Sequence, residues 1–389
     1  MTVIASYQRT PFGRLMGGLS SLSGMQLGGH AIAAALSEAQ IDPTDVDLVV
    51  GGHVLQAGQG QNPIRQSAIA AGIGLDVPQL TLNAVCLSGA EAVSHGTRLI
   101  RSGEARIVVC VGQESMSKAP HVVKNSRSGT KYGSLEVIDS LEFDGLTDAF
   151  STESMGLGTE KVNAELGISR EEQDAVAVES HRRAASNDDF LANEITPVEV
   201  VLGRETVHIS QDEGVRPETS MESVSRLKPA FDSAGTITAA NASPISDGAA
   251  AIVLMSPEEA TKRSISGLAT VEAHALVAGP TTALHSQPSR AISQALRSVN
   301  VEPDALAAVE INEAFASVVI QSARDLGLSL DVVNKKGGAI AFGHPIGASG
   351  TRIVGTLARQ LAEFGPDTWG AAGICGGGGQ GSGLVLRSR

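Results

Sequence analysis

The sequence predicts an α/β protein made of two similar halves with a folded insertion between them. The first observation is an internal repeat, because AIAAALSEAQIDPTDVDLVV (31–50) aligns without a gap on AISQALRSVNVEPDALAAVE (291–310). The second is composition: 44 glycines and only 3% aromatic residues are typical of folds in which helices pack closely on a sheet. The third is a long segment between the two copies, roughly 118–246, that lies outside the repeat.

Each copy of the repeat predicts an amphipathic helix, a proline-containing turn and an apolar strand. Three further matches follow in the same order: QSAIAAG (66–72) with QSARDLG (321–327), Ser88-Gly89 with Ser349-Gly350, and RIVVCVGQE (106–114) with WGAAGICGG (369–377). Four matches in one order predict the same series of alternating helices and strands in both halves. Equivalent turns of the two halves should then face each other across a pseudo-twofold axis.

The insertion begins with a basic, polar run, KAPHVVKNSRSGTKYG, and its middle predicts two helices, the second capped by Ser169. GAAAIVLMS (248–256) predicts a buried strand that returns the chain to the first half. We therefore assign residues 1–118 with 247–267 to the first half, 119–246 to the insertion and 268–389 to the second half. An insertion at this place predicts a lid or a substrate-binding unit.

The charge, hydropathy and cysteine content exclude several classes of protein. A net charge of −13 argues against a general nucleic-acid binder, so an anionic ligand would need a local basic patch such as RLKPAF (226–231). No stretch approaches the roughly 18 consecutive apolar residues of a membrane helix, and the N-terminus does not resemble a secretory signal. Three cysteines in 389 residues fit neither a disulfide framework nor a zinc pattern. We expect a cytoplasmic protein without a bound metal.

The stretch NAVCLSGA places Cys86 where an extended run gives way to a helical one. The repeat brings this turn opposite the glycine-rich turn that holds His344, and near Asn312 of NEAFA and Cys375 of GICGGGGQG. A cysteine at a helix N-terminus has its thiolate favoured by the helix dipole and by a nearby imidazole. Glycines after Cys375 let backbone N–H groups point at a developing oxyanion. The four residues together predict a nucleophilic thiol site.

Taken singly, each feature has an ordinary structural explanation. A cysteine on such a turn can be core packing, and Cys110, inside an apolar strand, is expected to be a buried small hydrophobe. The GGGG run could hold a phosphate. It lacks the Lys-Ser/Thr of a P-loop and the strand–GxGxxG–helix order of a dinucleotide site.

Over essentially its full length the chain resembles the thiolase family, and within it the biosynthetic acetyl-CoA acetyltransferases. The matching pieces are NAVCLSG, GQESMS, DEGVRPETSMESVSRLKPAFDSAGTITAANAS, NEAFA, GGAIAFGHPIGASG and CGGGGQG. The resemblance implies βαβαβαββ halves stacked in five α-β-α-β-α layers. It also implies a homotetramer that uses coenzyme A thioesters as substrates and needs no cofactor.

The resemblance implies a role for each residue of the predicted site. Cys86 would carry the acetyl group as a thioester, and Cys375 would exchange protons with the second acetyl-CoA. His344 and a water held by Asn312 would form one oxyanion hole. The backbone N–H groups of Cys86 and Gly377 would form the other.

The family's coenzyme A contacts carry over onto ten positions of this chain, with Arg216 and the RLKPAF segment supplying positive charge. These positions are Leu146, Ser154, Met155, Arg216, Ser223, Phe231, Ala239, Ser243, Ala314 and Phe315. Ser154 departs from close acetoacetyl-CoA-forming relatives, which often carry histidine there.

The function expected from the resemblance is reversible condensation of two acetyl-CoA molecules to acetoacetyl-CoA and CoA through an acetyl-Cys86 intermediate. The nearest alternative is a degradative 3-ketoacyl-CoA thiolase that accepts a broader range of chain lengths. Two others are a catalytically silent acyl-CoA-binding protein and a redox-sensing dithiol formed by Cys86 and Cys375.

Overall fold

The computed structural model describes residues 1–389, apart from the side chain of Leu202. The elements before the insertion are β1 (Thr2–Arg9), β2 (Gly13–Arg14), α1 (Gly24–Ala39), β3 (Leu48–Gly52), α2 (Pro63–Ala70), β4 (Gln79–Leu82), α3 (Ser88–Arg101) and β5 (Ile107–Ser115). The insertion contains β6 (His121–Val123), β7 (Val137–Asp139), a π-helical turn (Leu141–Leu146), α4 (Met155–Leu166), α5 (Arg170–Ala185), α6 (Asp188–Glu194), β8 (Val198–Leu202), β9 (Glu205–Ile209) and α7 (Met221–Ser225).

The chain after the insertion forms the rest of the first half and all of the second. Its elements are β10 (Ser246–Met255), α8 (Pro257–Lys262), β11 (Ala269–Ala278), α9 (Gln287–Ser298), β12 (Leu306–Ile311), α10 (Ala316–Leu326), α11 (Ala339–Phe342), α12 (Ser349–Ala362), β13 (Trp369–Gly376) and β14 (Gln380–Ser388). Short 3₁₀ turns lie at Pro43–Asp45, Met116–Lys118, Ser126–Ser128 and Pro303–Ala305.

The main strands follow one path in the order β12-β13-β14-β11-β1-β10-β5-β3-β4, and β2 pairs with β10. Strands β3, β4 and β5 are parallel to one another, as are β12 and β13. Strand β10 lies antiparallel between β1 and β5, which is the return to the first half expected for 248–256. A short pairing of β1 with β11 joins the two halves.

The helices and sheets stack in five layers. Helices α1 and α2 share a hydrophobic cluster with the outer face of the first half, and α9 and α10 share another with the outer face of the second. Helices α3 and α12 lie between the strands of the first half and those of the second. Their residues Val93 and Ile353 belong to one cluster with Val108 of β5 and Ile374 of β13. The chain therefore has the duplicated α-β-α-β-α architecture that its sequence predicts.

The two central helices cross at a pair of glycines that occupy equivalent positions in the repeat. A Cβ at Gly89 would lie 2.6 Å from the backbone N of Thr351, and a Cβ at Gly350 would overlap the backbone N of Ala90. Each helix therefore needs its glycine so that the other backbone can approach. This reciprocal contact is the predicted pseudo-twofold relation in atomic detail.

The second half departs from the regular series where a strand equivalent to β4 is expected. The bridge between Val309 and Val333 takes its place. The side chain of Asn334 continues the pairing, because its Oδ1 accepts from the Ile311 N–H and its Nδ2 donates to the Ile311 carbonyl, both at 2.8 Å. Asn334 has φ 49°, so the backbone turns away from the sheet there.

The two helices predicted in the middle of the insertion are α4 and α5. Ser169 caps α5 as expected, since its Oγ accepts from the Glu172 N–H at 3.2 Å and the Glu172 carboxylate accepts from the Ser169 N–H at 2.9 Å. The basic run at the start of the insertion is largely exposed, and it contains β6 and most of the loop between β6 and β7. Among the helices that the structure describes, none combines the length and apolar character needed to cross a bilayer.

Candidate active site

A strained turn presents Cys86 immediately before the N-terminus of α3. Val85 has φ 52°, a left-handed conformation that is unfavourable for a β-branched residue. The side chain of Asn83 accepts a hydrogen bond from the Val85 N–H at 2.9 Å. Ser88 Oγ accepts from the Ala84 N–H at 2.9 Å and donates to the Val85 carbonyl at 2.6 Å. Two polar side chains therefore hold the turn that fixes the position of the thiol.

One cavity of about 300 Å³ brings together Cys86, His344, Cys375 and Gly377, which are far apart in sequence. Two hydrophobic clusters form its walls. One packs against Cys86 and includes Leu55 and Ile346, and the other contains Cys375 with Leu284 and Phe315. The two thiols thus share an apolar chamber, although they come from different halves of the protein.

The imidazole of His344 is held as a neutral proton acceptor. Ser349 Oγ donates to the Pro345 carbonyl at 3.0 Å, so it accepts from His344 Nδ1–H at 2.6 Å. This assignment leaves the lone pair of Nε2 available. Burial, reinforced by the Arg352 cation, lowers the pKa of His344 to about 3.

The fourth predicted residue, Asn312, lies beside His344. It follows β12 and is fully buried, with Nδ2 at 3.5 Å from each ring nitrogen of His344. Its Oδ1 accepts no hydrogen bond from the residues that the structure describes. Buried amide oxygens are seldom left unpaired, so this atom is suited to binding a small polar group next to the imidazole.

Both thiols of the cavity are protonated in the free protein. Burial raises the pKa of Cys86 to about 12, and the Glu114 carboxylate contributes, while the backbone N–H groups of Cys86 and Gly377 oppose the shift. Burial and the neighbouring Cys86 raise the pKa of Cys375. Reaction at Cys86 therefore requires a base, and the Nε2 of His344 is in the same cavity. The shifts of both pKa values oppose this proton transfer, so it has to be coupled to attack of the sulfur on the substrate.

Seven of the ten predicted coenzyme A contacts line this cavity: Leu146, Ser154, Met155, Phe231, Ser243, Ala314 and Phe315. The other three, Arg216, Ser223 and Ala239, line a second cavity of about 490 Å³. Ile245 lines both cavities, so the two adjoin. Together they extend from the thiols to a more polar region.

Arg216, one of the predicted sources of positive charge, lines the second cavity. From the RLKPAF segment the cavities take apolar Leu227 and Phe231, whereas Arg226 pairs with Glu222. The second cation is Arg14, which lines the cavity with Arg216. Arg14 escaped prediction because the β2–β10 pairing, a contact distant in sequence, brings it there.

Several wall residues also carried no sequence signal. Glu142 and Gly145 of the π-helical turn, Leu284 and Ile346 line the first cavity as ordinary parts of loops and turns. Cys110 is fully buried, and its Sγ donates to the Ala92 carbonyl at 3.3 Å. It is a packing residue, as its position in an apolar strand predicts.

Comparison with known proteins gives a consistent family assignment. Residues 2–258 match the family described as "Thiolase, N-terminal domain", and residues 265–388 match "Thiolase, C-terminal domain". A probable acetyl-CoA acetyltransferase of Mycobacterium leprae is 48% identical over 390 residues, covering 100% of this chain and 99% of the relative. The acetyl-CoA acetyltransferase of Cupriavidus necator is 42% identical, with the same coverage. The crystal structure of human mitochondrial 3-ketoacyl-CoA thiolase superposes with a TM-score of 0.96 at 35% identity, covering 100% of this chain and 99% of that chain.

Proposed function

Because the chain belongs to the thiolase family and is an acyltransferase, we propose that it condenses two acetyl-CoA molecules reversibly to acetoacetyl-CoA and CoA. The observation that carries the proposal is the shared chamber of Cys86, Cys375 and His344. One thiol can hold an acyl group while the other exchanges protons with a second substrate. A single-thiol acyl carrier would not need the second cysteine.

In the first half-reaction, His344 Nε2 takes the Cys86 proton, and the thiolate attacks the carbonyl carbon of acetyl-CoA. The N–H groups of Cys86 and Gly377, which favour negative charge on the Cys86 sulfur, stabilise the oxyanion of the tetrahedral intermediate. The C–S bond to coenzyme A breaks, and the departing sulfur takes the Cys375 proton. This leaves acetyl-Cys86, a Cys375 thiolate and a protonated His344.

In the second half-reaction, the Cys375 thiolate takes an α-proton from the next acetyl-CoA. The enolate oxygen is stabilised by His344 Nε2–H and by a water bound to Asn312. The enolate carbon attacks acetyl-Cys86, and the departing Cys86 thiolate recovers its proton from His344. All three groups return to their starting protonation states.

We favour acetyl over longer acyl groups as the substrate of the chamber around the thiols, which Leu146, Leu284 and Ile346 line. The probable acetyl-CoA acetyltransferase of M. leprae and the acetyl-CoA acetyltransferase of C. necator support this choice. The likeness to human 3-ketoacyl-CoA thiolase supports the alternative, a degradative enzyme for longer chains. Thiolysis rates on short and long 3-ketoacyl-CoA substrates distinguish the two.

The proposal includes a cytoplasmic homotetramer that needs no cofactor. The support for assembly is the apolar surface of the insertion, where Tyr132, Leu135 and Val137 are exposed on a basic segment. Light scattering coupled to gel filtration tests the oligomeric state. Activity after dialysis against a chelator tests the cofactor requirement.

The experiment that tests the function is incubation with acetyl-CoA alone, an acid quench and mass spectrometry of the peptides. We expect one acetyl group on the peptide that contains Cys86, and none in a Cys86→Ala variant. An unmodified Cys86 in folded protein would refute the acyl-enzyme mechanism. It would favour a binding or redox role instead.

A further inference from the structure

The segment from Gly338 to Gly347, here called the His344 loop, carries the imidazole into the cavity. We propose that two buried carboxylates, Glu313 and Glu114, are positioning residues that clamp the two ends of the His344 loop. This inference rests on the proposed function, in which His344 serves both half-reactions.

Glu313 holds the beginning of the loop. It is 2% exposed, and its Oε2 accepts from the Ile340 N–H at 2.9 Å. The same oxygen accepts from Ser180 Oγ at 2.7 Å, and Oε1 accepts from Asn334 Nδ2 at 2.9 Å. The carboxylate thus joins the loop to α5 of the insertion and to Asn334 in the segment between α10 and α11.

Glu114 holds the end of the loop from the other half of the protein. It is fully buried at the end of β5, and its Oε2 accepts from the Gly347 N–H at 3.1 Å and from the Val54 N–H at 3.0 Å. Its Oε1 accepts from the Leu55 N–H at 3.2 Å. A carboxylate of the half that carries Cys86 therefore fixes the loop that carries His344.

Glycines at both ends of the loop fit this arrangement. A Cβ at Gly338 would overlap the carboxylate of Glu313, and a Cβ at Gly347 would lie 2.8 Å from Glu114 Oε2. The glycines leave the space that each carboxylate occupies.

Between the clamps, near the imidazole, the His344 N–H donates to the Pro244 carbonyl and to Ser246 Oγ, both at 3.2 Å. Neither carboxylate is hydrogen-bonded to the reacting groups, so both position His344 through the loop. The charge of Glu114 also raises the pKa of Cys86. Its removal would favour the Cys86 thiolate, so a lower kcat in a Glu114 variant reports on the loop. Displacement of a reacting group by about 1 Å can lower a rate about 100-fold. Loosening either clamp should therefore slow the chemical steps and leave coenzyme A binding unchanged.

The test compares Glu114→Gln and Glu313→Gln with Asp47→Asn. Each glutamine keeps one acceptor oxygen, but its amide NH₂ replaces the second oxygen. The groups that donate to that oxygen in wild type then lose their acceptor. Asp47 is the matched control, because its carboxylate accepts from the Arg106 and Ile107 N–H groups at 2.7 and 2.9 Å at a different site. For thiolysis of acetoacetyl-CoA we expect both glutamine variants to lose about 10- to 100-fold in kcat with KM within about twofold. Exchange of acetyl-CoA α-protons in deuterated water should slow in parallel, and Asp47→Asn should match wild type.

Gly347→Ala provides a second route if a glutamine variant does not fold. It keeps both carboxylates and displaces the loop end, so the same fall in kcat with unchanged KM is expected. Folded glutamine variants with wild-type kcat, or a fall as large in Asp47→Asn, would overturn the clamp. Wild-type protein without acetoacetyl-CoA turnover would instead refute the proposed function, so the two failures are distinguishable.

Discussion

Val85 shows how one residue sets the position of the candidate nucleophile. A β-branched residue at φ 52° is costly, and hydrogen bonds from its neighbours keep it there. The strained conformation turns the chain sharply between the extended run and α3, so Cys86 reaches the cavity rather than the interior of the sheet. Hydrogen bonds from the side chains of Asn83 and Ser88 to the surrounding backbone offset the strain of the turn.

Replacing Ser88 with alanine tests this support. The substitution removes the acceptor of the Ala84 N–H, and an unpaired buried group costs about 1–3 kcal/mol. We expect Ser88→Ala to lower the free energy of unfolding by that amount in urea titrations and to reduce acetylation of Cys86. Ser102→Ala, near the other end of α3, is the control and should change stability by less than about 0.5 kcal/mol, because that hydroxyl is exposed. Equal effects of the two substitutions would contradict the role of Ser88.

The two thiols should be separable by mutation. Cys375→Ala keeps Cys86, His344 and the N–H groups of Cys86 and Gly377, so we expect acetyl-Cys86 to form. It should form more slowly than in wild type, because the departing coenzyme A sulfur loses its proton donor and leaves as a thiolate. Condensation should fall at least about 100-fold, because the proton acceptor for the second substrate is gone. Mass spectrometry measures the first step, and acetoacetyl-CoA formation measures the second. Condensation at the wild-type rate would show that Cys375 is not the base.

Among the secondary-structure elements, α3 and α12 cross at a contact that leaves no space for a larger side chain. The backbones meet at Gly89 and Gly350, where a methyl group would overlap the opposite helix. The serines before these glycines also occupy equivalent positions, because Ser88 begins α3 and Ser349 begins α12. The Ser88 hydroxyl binds the turn before Cys86, and the Ser349 hydroxyl binds the His344 ring. The repeated Ser-Gly pair therefore joins the two halves and orients both functional turns.

We expect Gly350→Ala to lower the free energy of unfolding by about 1–3 kcal/mol, because the added methyl overpacks a buried crossing. Gly158→Ala in α4 is the matched control. It is also a helical glycine, and a Cβ there would have no neighbour within 4 Å. That substitution should stabilise the protein by about 0.4–1 kcal/mol, because alanine has the higher helix propensity. Thermal and urea unfolding measure both, and destabilisation by Gly158→Ala would contradict the argument.

Elements with strong local signals could be predicted from the sequence, and those that depend on distant contacts could not. The repeat predicted two similar halves of alternating helices and strands, and Ser169 predicted the start of α5, since periodicity and capping are local. The five layers were implied by the family resemblance. The β8–β9 hairpin and the replacement of a strand by the Asn334 side chain have no such signal. In the site, the turns of Cys86 and His344 were predictable from their residues, whereas Arg14 reaches the second cavity only through the pairing of β2 with β10.

At the scale of the whole molecule, buried histidines couple stability to pH. Burial lowers the pKa of His285 to about 4, although Asp325 opposes the shift, and burial also lowers the pKa of His181 to about 4. In the unfolded chain these histidines become protonated below their ordinary pKa of about 6.5. In the folded chain they become protonated only when the pH falls to about 4. Stability should therefore fall as the pH decreases between these values. Burial raises the pKa of Glu310 to about 7, so the contribution of Glu310 to stability increases as the pH decreases.

His285→Gln isolates one of these contributions. Glutamine can still donate to Asn163 Oδ1, which His285 Nε2 contacts at 2.7 Å, but it does not titrate. The loss of stability on acidification from pH 6.5 to 4.5 should be smaller than in wild type by up to about 1.4 kcal/mol per pH unit. Urea titrations across this range measure the difference. Parallel pH profiles for the two proteins would show that His285 is not the linked group.

The position of β10 determines the order in which a newly synthesised chain can become compact. Strands β1 and β5 leave the ribosome well before β10, which must enter between them. Until residue 255 has been translated, both strands expose unpaired edges, and such edges favour association with other chains. The second half is continuous from β11 to β14, so its strands do not depend on a strand that is translated after a long insertion. Nascent chains stalled before residue 246 should therefore require chaperones that cover strand edges, whereas chains released after β10 should not.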